Sequence, residues 1–319
     1  MIKKKKCIKY FLFISILYAF ILIQIIYSKL IIKENKTFID SNTLIGGLEN
    51  NKKKLIHNCY IPQDFYKLTL VHFIITRFLI HLTTEADFKK NLYIDKYFLN
   101  GLRVMKKYLL PSLENQSCKD FIWIIMIGDK ANITQVKSIL NFNCSFLYKI
   151  IYKKDLNNYL KKSSKGFDVL ITTRIDYDDK IYYDSVNDVR KAVNLDKPII
   201  LHGYNRGVYY YESIGKFYNH YRNNIGAMSI FLSLITVLKK INTTITIYDI
   251  GPHNIVEKYL MKRYKSYGIK ELNYNPTVYD SGSYKYVWVR QKFSGTYNDT
   301  KNLKYKILIN NTELNKYFF

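Results

Sequence analysis

Asp176, Asp178 and Asp179 sit at the end of the apolar run Val169-Leu170-Ile171-Thr172-Thr173-Arg174-Ile175, so a buried strand delivers three carboxylates to one point. Crowded carboxylates repel one another, and such a cluster persists where a cation neutralises it. Hard oxygen donors of this kind suit Mg2+ or Mn2+, which keep positions open for diphosphate oxygens. In an extended segment residues two apart face the same way, so Asp176 and Asp178 are expected to share one ligand while Asp179 braces the loop. The bare spacing is also that of a solvated acidic turn, and the neighbourhood has to decide. A calcium loop of the EF-hand kind needs Gly at its sixth position, where this chain has Ile181. A phosphatase with an acidic motif after its first strand would have about a hundred fewer residues ahead of it.

Arginine is scarce here beside many lysines. Arg77 and Arg174 each fall at or near a strand's end. The guanidinium fork can hold phosphate in bidentate fashion, which makes Thr76-Arg77 and Arg174, with Asp176, candidate donor-binding residues. A structural ion pair with a nearby aspartate is an equal alternative for Arg174. Asp249 and Glu212 are the candidate general bases. The tyrosines around Tyr204 and Tyr209 to Tyr211 are mostly core filling, though some could stack on sugar faces.

The elements that must position these groups alternate. Apolar strands are expected at 68–78, 121–127, 146–152, 167–175, 199–201, 208–211, 245–248 and 286–289. Helices are expected at 93–109, stopped by Pro111, after Asn132, and at 182–193, 228–239 and 255–267. Strands alternating with helices imply a largely parallel sheet covered on both faces, with ligands beyond the carboxyl ends of the strands. Asp176, Arg77 and Asp249 all lie at such ends.

The 319 residues, 48% hydrophobic and 16% aromatic, exclude a wholly disordered chain. A net charge of +25 would fit an anionic partner, but Lys, Asn, Ile and Tyr are abundant together, as a base-composition bias would produce. No basic helix, finger or aromatic motif of nucleic-acid-binding spacing is present, so no nucleic-acid partner is expected. Lys3 to Lys6 and Lys9 precede an uncharged run at 10–28 long enough to cross a bilayer. The expected plan is a cytoplasmic tail at 1–9, a transmembrane signal anchor at 10–28, a polar stem at 29–65 and a catalytic domain at 66–319. With lysines kept on the cytosolic side this is a type II membrane protein with a lumenal domain. Sequons at Asn35, Asn115, Asn132, Asn143, Asn242, Asn298 and Asn310 agree with that location, as glycoprotein sites. Cys59, Cys118 and Cys144 allow one disulfide and have no zinc-site spacing.

Four blocks, in order, resemble the rhamnosyltransferase family of GT-A glycosyltransferases. They are His72-Phe73-Ile74-Ile75-Thr76-Arg77-Phe78; Leu110-Pro111-Ser112-Leu113-Glu114-Asn115-Gln116-Ser117 leading to Phe121-Ile122-Trp123; Thr172-Thr173-Arg174-Ile175-Asp176-Tyr177-Asp178-Asp179; and Ile247-Tyr248 with His253. The chain departs from the family at Leu79, where Asn is common, and at Lys180, where a small or apolar residue is usual. The resemblance implies a Rossmann-like nucleotide-diphospho-sugar transferase fold. It implies a divalent cation held by Asp176, Asp178 and Asp179, with His253 joining from a later loop. It also implies transfer of a sugar, rhamnose in the family's name, from a nucleotide-sugar donor to a glycan or glycoconjugate hydroxyl. Two other readings use the same residues: a non-catalytic glycan-binding protein of the same fold, and a metal-dependent phosphohydrolase.

Overall fold

The computed structural model describes residues 59–60, 68–78, 96–221, 231–241, 244–249, 277–279, 285–290, 308–309 and 314. These all belong to the unit Ile56–Phe319. The expected anchor at 10–28, His253 and the helix at 255–267 lie outside the described residues. Among the described residues no helix is long and apolar enough to cross a membrane.

Two sheets make up the fold. The larger is built from β1 (Leu70–Arg77), β2 (Ile122–Ile127), β3 (Leu147–Tyr152), β4 (Val169–Asp176), β6 (Ile199–Tyr204), β9 (Leu232–Val237) and β10 (Thr277–Tyr279), in the order β10-β6-β9-β4-β1-β2-β3. Six of its strands run in one direction, and β9 alone is reversed between β4 and β6. The smaller sheet, in the order β12-β8-β7-β11-β5, contains β5 (Asp179–Ile181), β7 (Arg206–Tyr211), β8 (Lys216–Tyr221), β11 (Tyr286–Arg290) and β12 (Leu308–Ile309).

Side-chain alternation sorts the large sheet into two cores. Ile74, Trp123, Ile125, Ile171, Ile175, Ile200 and Ile235 share one face. Val71, Phe73, Ile75, Ile124, Leu170, Leu201 and Leu234 share the other. Strands buried on both faces read as continuous apolar runs, which is why β1, β2 and β4 were visible in the sequence. On the first face His72 Nε2 lies 2.7 Å from Thr173 Oγ1, itself 2.7 Å from Ser233 Oγ, so a polar chain crosses β1, β4 and β9 inside the core.

Three expectations fail here. The helix at 93–109 does not stop at Pro111. After α1 (Lys96–Val104) the chain passes through a π-helical stretch, Met105–Leu109, into α2 (Leu110–Glu114), with Pro111 in its first turn. At that position the missing N–H costs nothing. The π turn also lets one helix serve two cores: Phe98, Met105, Leu109 and Leu113 pack on the large sheet, Val104 and Tyr108 on the small one. The expected helix at 228–239 is instead β9 over its described part. All six residues of β9 are buried, so no polar face betrays its period, and Ile235, Thr236 and Val237 are β-branched. The expected strand at 245–248 is an irregular segment ending in a turn. α3 (Ile133–Ile139) follows its Asn132 cap as expected, and α5 (Ser185–Lys191) falls within 182–193; α4 (Leu156–Ser163) and β5, β8, β10 and β12 were not expected.

Cys59 and Cys118 form a disulfide, and Cys144 is free. The same corner is laced by polar contacts. Tyr60 N donates to Asn187 Oδ1 at 2.8 Å, Asn187 Nδ2 donates to Ser117 Oγ at 2.9 Å, and Ser117 Oγ donates to Asp184. In the small sheet Gly207 has no room for a side chain, because a Cβ would stand 2.2 Å from the Tyr286 ring. That ring is fixed in turn by a 2.7 Å bond between its hydroxyl and His220 Nδ1.

Candidate functional site

The register of β1 on β4 places Arg77 opposite Asp176 at the carboxyl ends of both strands. Arg77 Nη2 and Nε donate to Asp176 Oδ1 at 3.1 and 3.3 Å, and Arg174 Nη2 stands 3.9 Å from the same oxygen. Alternation puts all three on one face, that of Leu170 and Thr172. Two guanidiniums thus face one carboxylate at this edge, with Asp178 in the turn just beyond it. The two arginines are not equivalent. The Arg77–Asp176 pair is about one third exposed on each side, and such pairs contribute about 0–1 kcal/mol. The Arg174 side chain is only 8% exposed, and its contact with Asp176 is too long for a hydrogen bond.

Past Asp176 the chain turns at Tyr177 and Asp178 and enters β5, so the acidic cluster is the point where the chain leaves the large sheet for the small one. Because of this turn the extended alternation expected to align Asp176 with Asp178 does not continue. Asp178 is half-buried in the turn. Asp179 is 1% exposed, withdrawn into β5 opposite Trp288. Tyr177 turns to the core, packs edge-on against Phe78 at 5.5 Å, and leans on Gly101 of α1. Burial, and secondarily the flanking aspartates, push its hydroxyl up to about 12. Burial brings the Lys180 ammonium down to about 8. Among the described residues no three His, Cys, Asp or Glu side chains converge as a metal cage.

The block at 110–117 holds the chain that follows β5. Gln116 Nε2 donates to the carbonyl of Tyr182 at 2.8 Å, and its Oε1 accepts from Val186 N at 3.1 Å, clamping the chain just after β5.

The other expected site residues are placed differently. Thr76 is fully buried on the opposite face, where its hydroxyl accepts from Trp123 Nε1 at 3.0 Å, so its side chain supports the core rather than the crevice. Asp249 Oδ2 accepts from the backbone and hydroxyl of Thr246, both at 2.9 Å, which closes the turn carrying Tyr248. That segment is pinned to the sheet by Ile247 N donating to Thr172 Oγ1 at 2.8 Å. Tyr248, which sequence reasoning did not single out as a site residue, reaches the crevice: its hydroxyl donates to the Ile75 carbonyl at 3.4 Å. Burial raises its pKa, with Arg77 opposing and Asp176 adding.

Glu212 is a structural hub. Arg103 donates to its two oxygens at 3.0 and 3.1 Å, Lys107 at 3.0 Å and the Tyr108 hydroxyl at 2.9 Å. The Arg103 hydrogen bond, helped by Lys107 and Tyr108 against partial desolvation, lowers its carboxyl from 4.5 to about 2. With both oxygens engaged by these donors and its basicity lowered, Glu212 is poorly suited to take a proton from an acceptor. With its folded-state pKa depressed, its stabilisation is complete above about pH 4.5 and is lost as the pH falls toward 2. We expect the melting-temperature gap between wild type and Glu212→Gln to be constant above pH 5 and to close toward pH 2, as measured by calorimetry across that range.

Strand order, one reversed strand and a cluster of Arg77, Arg174 and Asp176 at the strand ends define an α/β protein whose charged groups gather at the carboxyl end of its parallel strands. The family model described as putative rhamnosyl transferase matches residues 73–266, well over half of the chain, and the chain belongs to that family. No curated protein matches it. Solved structures similar to it include a putative glucose-1-phosphate thymidylyltransferase from Bacillus anthracis, with 15% identity over 61% of this chain and 83% of that one and a TM-score of 0.31. Another is a putative nucleotide-diphospho-sugar transferase from Desulfovibrio desulfuricans G20, with 10% identity over 69% and 79% and a TM-score of 0.30. A third is the inositol-1-phosphate CTP transferase from T. maritima, with 12% identity over 70% and 86% and a TM-score of 0.29. Scores this low do not establish a shared fold.

Proposed function

We propose that this chain is a metal-dependent glycosyltransferase of GT-A type, moving a sugar, rhamnose by its family, from a nucleotide-sugar donor to a hydroxyl of a glycan or glycoconjugate. The observation that carries this reading is Arg174: a guanidinium 8% exposed, at the carboxyl end of β4, whose ion pair with Asp176 spans 3.9 Å. A buried cation so weakly compensated is costly to the fold and is accounted for by an anion that arrives with the ligand. A diphosphate fits, with Arg77 able to turn to it from its partly exposed pair.

Asp176 and Asp178 are the residues that would hold a divalent cation, since both carry hard oxygen donors and remain partly exposed, whereas Asp179 does not. Two carboxylates with the remaining positions left to water and phosphate match what Mg2+ or Mn2+ requires. When bound, the cation supplies charge neutralisation for the departing nucleoside diphosphate. Arg174 and Arg77 bind and orient the same group, and Tyr248 closes the crevice over Ile75. The acceptor's base is unassigned, because Glu212 is locked in its ionic hub and Asp249 closes a turn. The Cys59–Cys118 disulfide is of the kind kept in oxidising compartments, which supports a lumenal domain on a type II anchor.

The metal limb is tested by Asp178→Ala. We expect it to abolish transfer and weaken Mn2+ binding, followed by electron paramagnetic resonance, at an unchanged melting temperature, since a turn outside the core supports little packing. Wild-type activity undiminished in chelator would overturn the metal assignment.

A further inference from the structure

Asn205 lies between β6 and β7, 5% exposed, and its side-chain oxygen Oδ1 is buried with no hydrogen-bond partner. Leaving a buried amide carbonyl unpaired is costly, and such groups in native proteins call for a specific explanation. Its position supplies one. Arg174 of β4 faces Leu232 of β9, and Ser233 of β9 faces His202 of β6. Carried along the strands, this register sets Gly203 level with Arg174 and Asn205 level with Asp176. The two are separated by two strand spacings, about 10 Å.

The strand that leads to it is faced the same way. Ile199 and Leu201 of β6 share a core with Leu170 of β4 and Val71 of β1, so odd positions on β6 look the same way as Arg174, Asp176 and Arg77. Ile200 and Tyr204 look the other way. Asn205 thus follows directly on a strand parallel to β4, at the same carboxyl edge of the sheet as Arg77, Arg174 and Asp176. It is the wrong group for the diphosphate, being an uncharged acceptor set aside from both arginines. It is the right one for a hydroxyl.

We propose that Asn205 is a sugar-binding residue whose amide carbonyl accepts a hydrogen bond from a hydroxyl of the transferred sugar. The inference rests on the nucleotide-sugar reading and adds to it the residue that reads the sugar. An acceptor built for one hydroxyl discriminates strongly against a sugar lacking it, since the carbonyl is then buried unpaired.

The test compares full-length wild type, Asn205→Ala and Asn205→Ser by calorimetric titration with UDP, GDP and dTDP and with the corresponding nucleotide sugars. Both variants should bind the bare nucleoside diphosphate like wild type, lose roughly tenfold in affinity for the nucleotide sugar, and melt no lower than wild type. Equal losses for nucleotide and nucleotide sugar, no loss for either, a loss confined to the KM of the acceptor, or a collapse in melting temperature of both variants would each overturn the role of Asn205. Failure of wild type to bind any of the three diphosphates would instead overturn the donor reading, and the Asn205 proposal with it.

Discussion

Arg174→Met is expected to lower affinity for the donor's nucleoside diphosphate about a hundredfold while the melting temperature holds or rises. Each hydrogen bond from a guanidinium to a charged oxygen contributes about 1.5–3 kcal/mol, and two such bonds make a hundredfold loss a conservative figure. Most buried arginines could not be removed so safely, because their loss strands a buried carboxylate. Here Asp176 keeps the 3.1 Å bond from Arg77 and is itself one third exposed, so nothing is stranded. Methionine fills comparable volume without strain. Titration of wild type and variant with the diphosphate, beside their melting curves, checks the expectation. A large fall in stability with unchanged nucleotide affinity would make Arg174 a structural ion-pair residue.

The second large effect is on stability. Cys118→Ser opens a loop spanning 59 residues of sequence separation, and the chain-entropy relation puts the cost of losing that cross-link at about 4 kcal/mol. For a domain of this size each kcal/mol lowers the melting temperature by about 2–4 °C, so a drop near 10 °C is expected. The same drop should appear in wild type treated with a thiol reductant and should be absent from Cys144→Ser, because Cys144 is free. Some compensation is built in, since Tyr60 and Asn187 hold the two segments together by hydrogen bonds. Equal melting temperatures for Cys118→Ser and wild type under oxidising conditions would show that the cross-link does not form.

Much of this architecture was legible because buried parallel strands announce themselves. β1, β2, β3 and β4 lie where apolar runs end in polar residues, and the acidic cluster follows its strand as expected. What misled was burial on every side. β9 is buried throughout because it sits between β4 and β6, with only Ser233 and Thr236 polar, and a run with no exposed side is equally helix or strand by its period. Pro111 misled for the opposite reason, since a proline that ends a helix and one that begins a helical segment differ only in register, which the π turn shifts by a residue.

The candidate site was legible in its charges but not in its pairings. Arg77, Arg174 and Asp176 converge, while Thr76 is one residue from Arg77 and on the other face, a consequence of the two-residue period of a strand. Glu212 could not be judged from sequence at all. Its partners Arg103, Lys107 and Tyr108 come from α1 and the π turn, more than a hundred residues earlier. Asn205 gave no motif. Only the register across β9 brings it level with Asp176.

The central claim is sugar transfer from a nucleotide donor, and the most direct measurement is the release of nucleoside diphosphate by the full-length chain from a panel of nucleotide sugars with Mn2+, with and without a glycan acceptor. The account predicts that one nucleotide sugar turns over, that release accelerates strongly when acceptor is present, and that the acceptor gains the sugar's mass. Binding with no turnover for any donor and acceptor would make the chain a glycan- or nucleotide-binding protein, and release of inorganic phosphate independent of acceptor would make it a phosphohydrolase; either result would contradict the account.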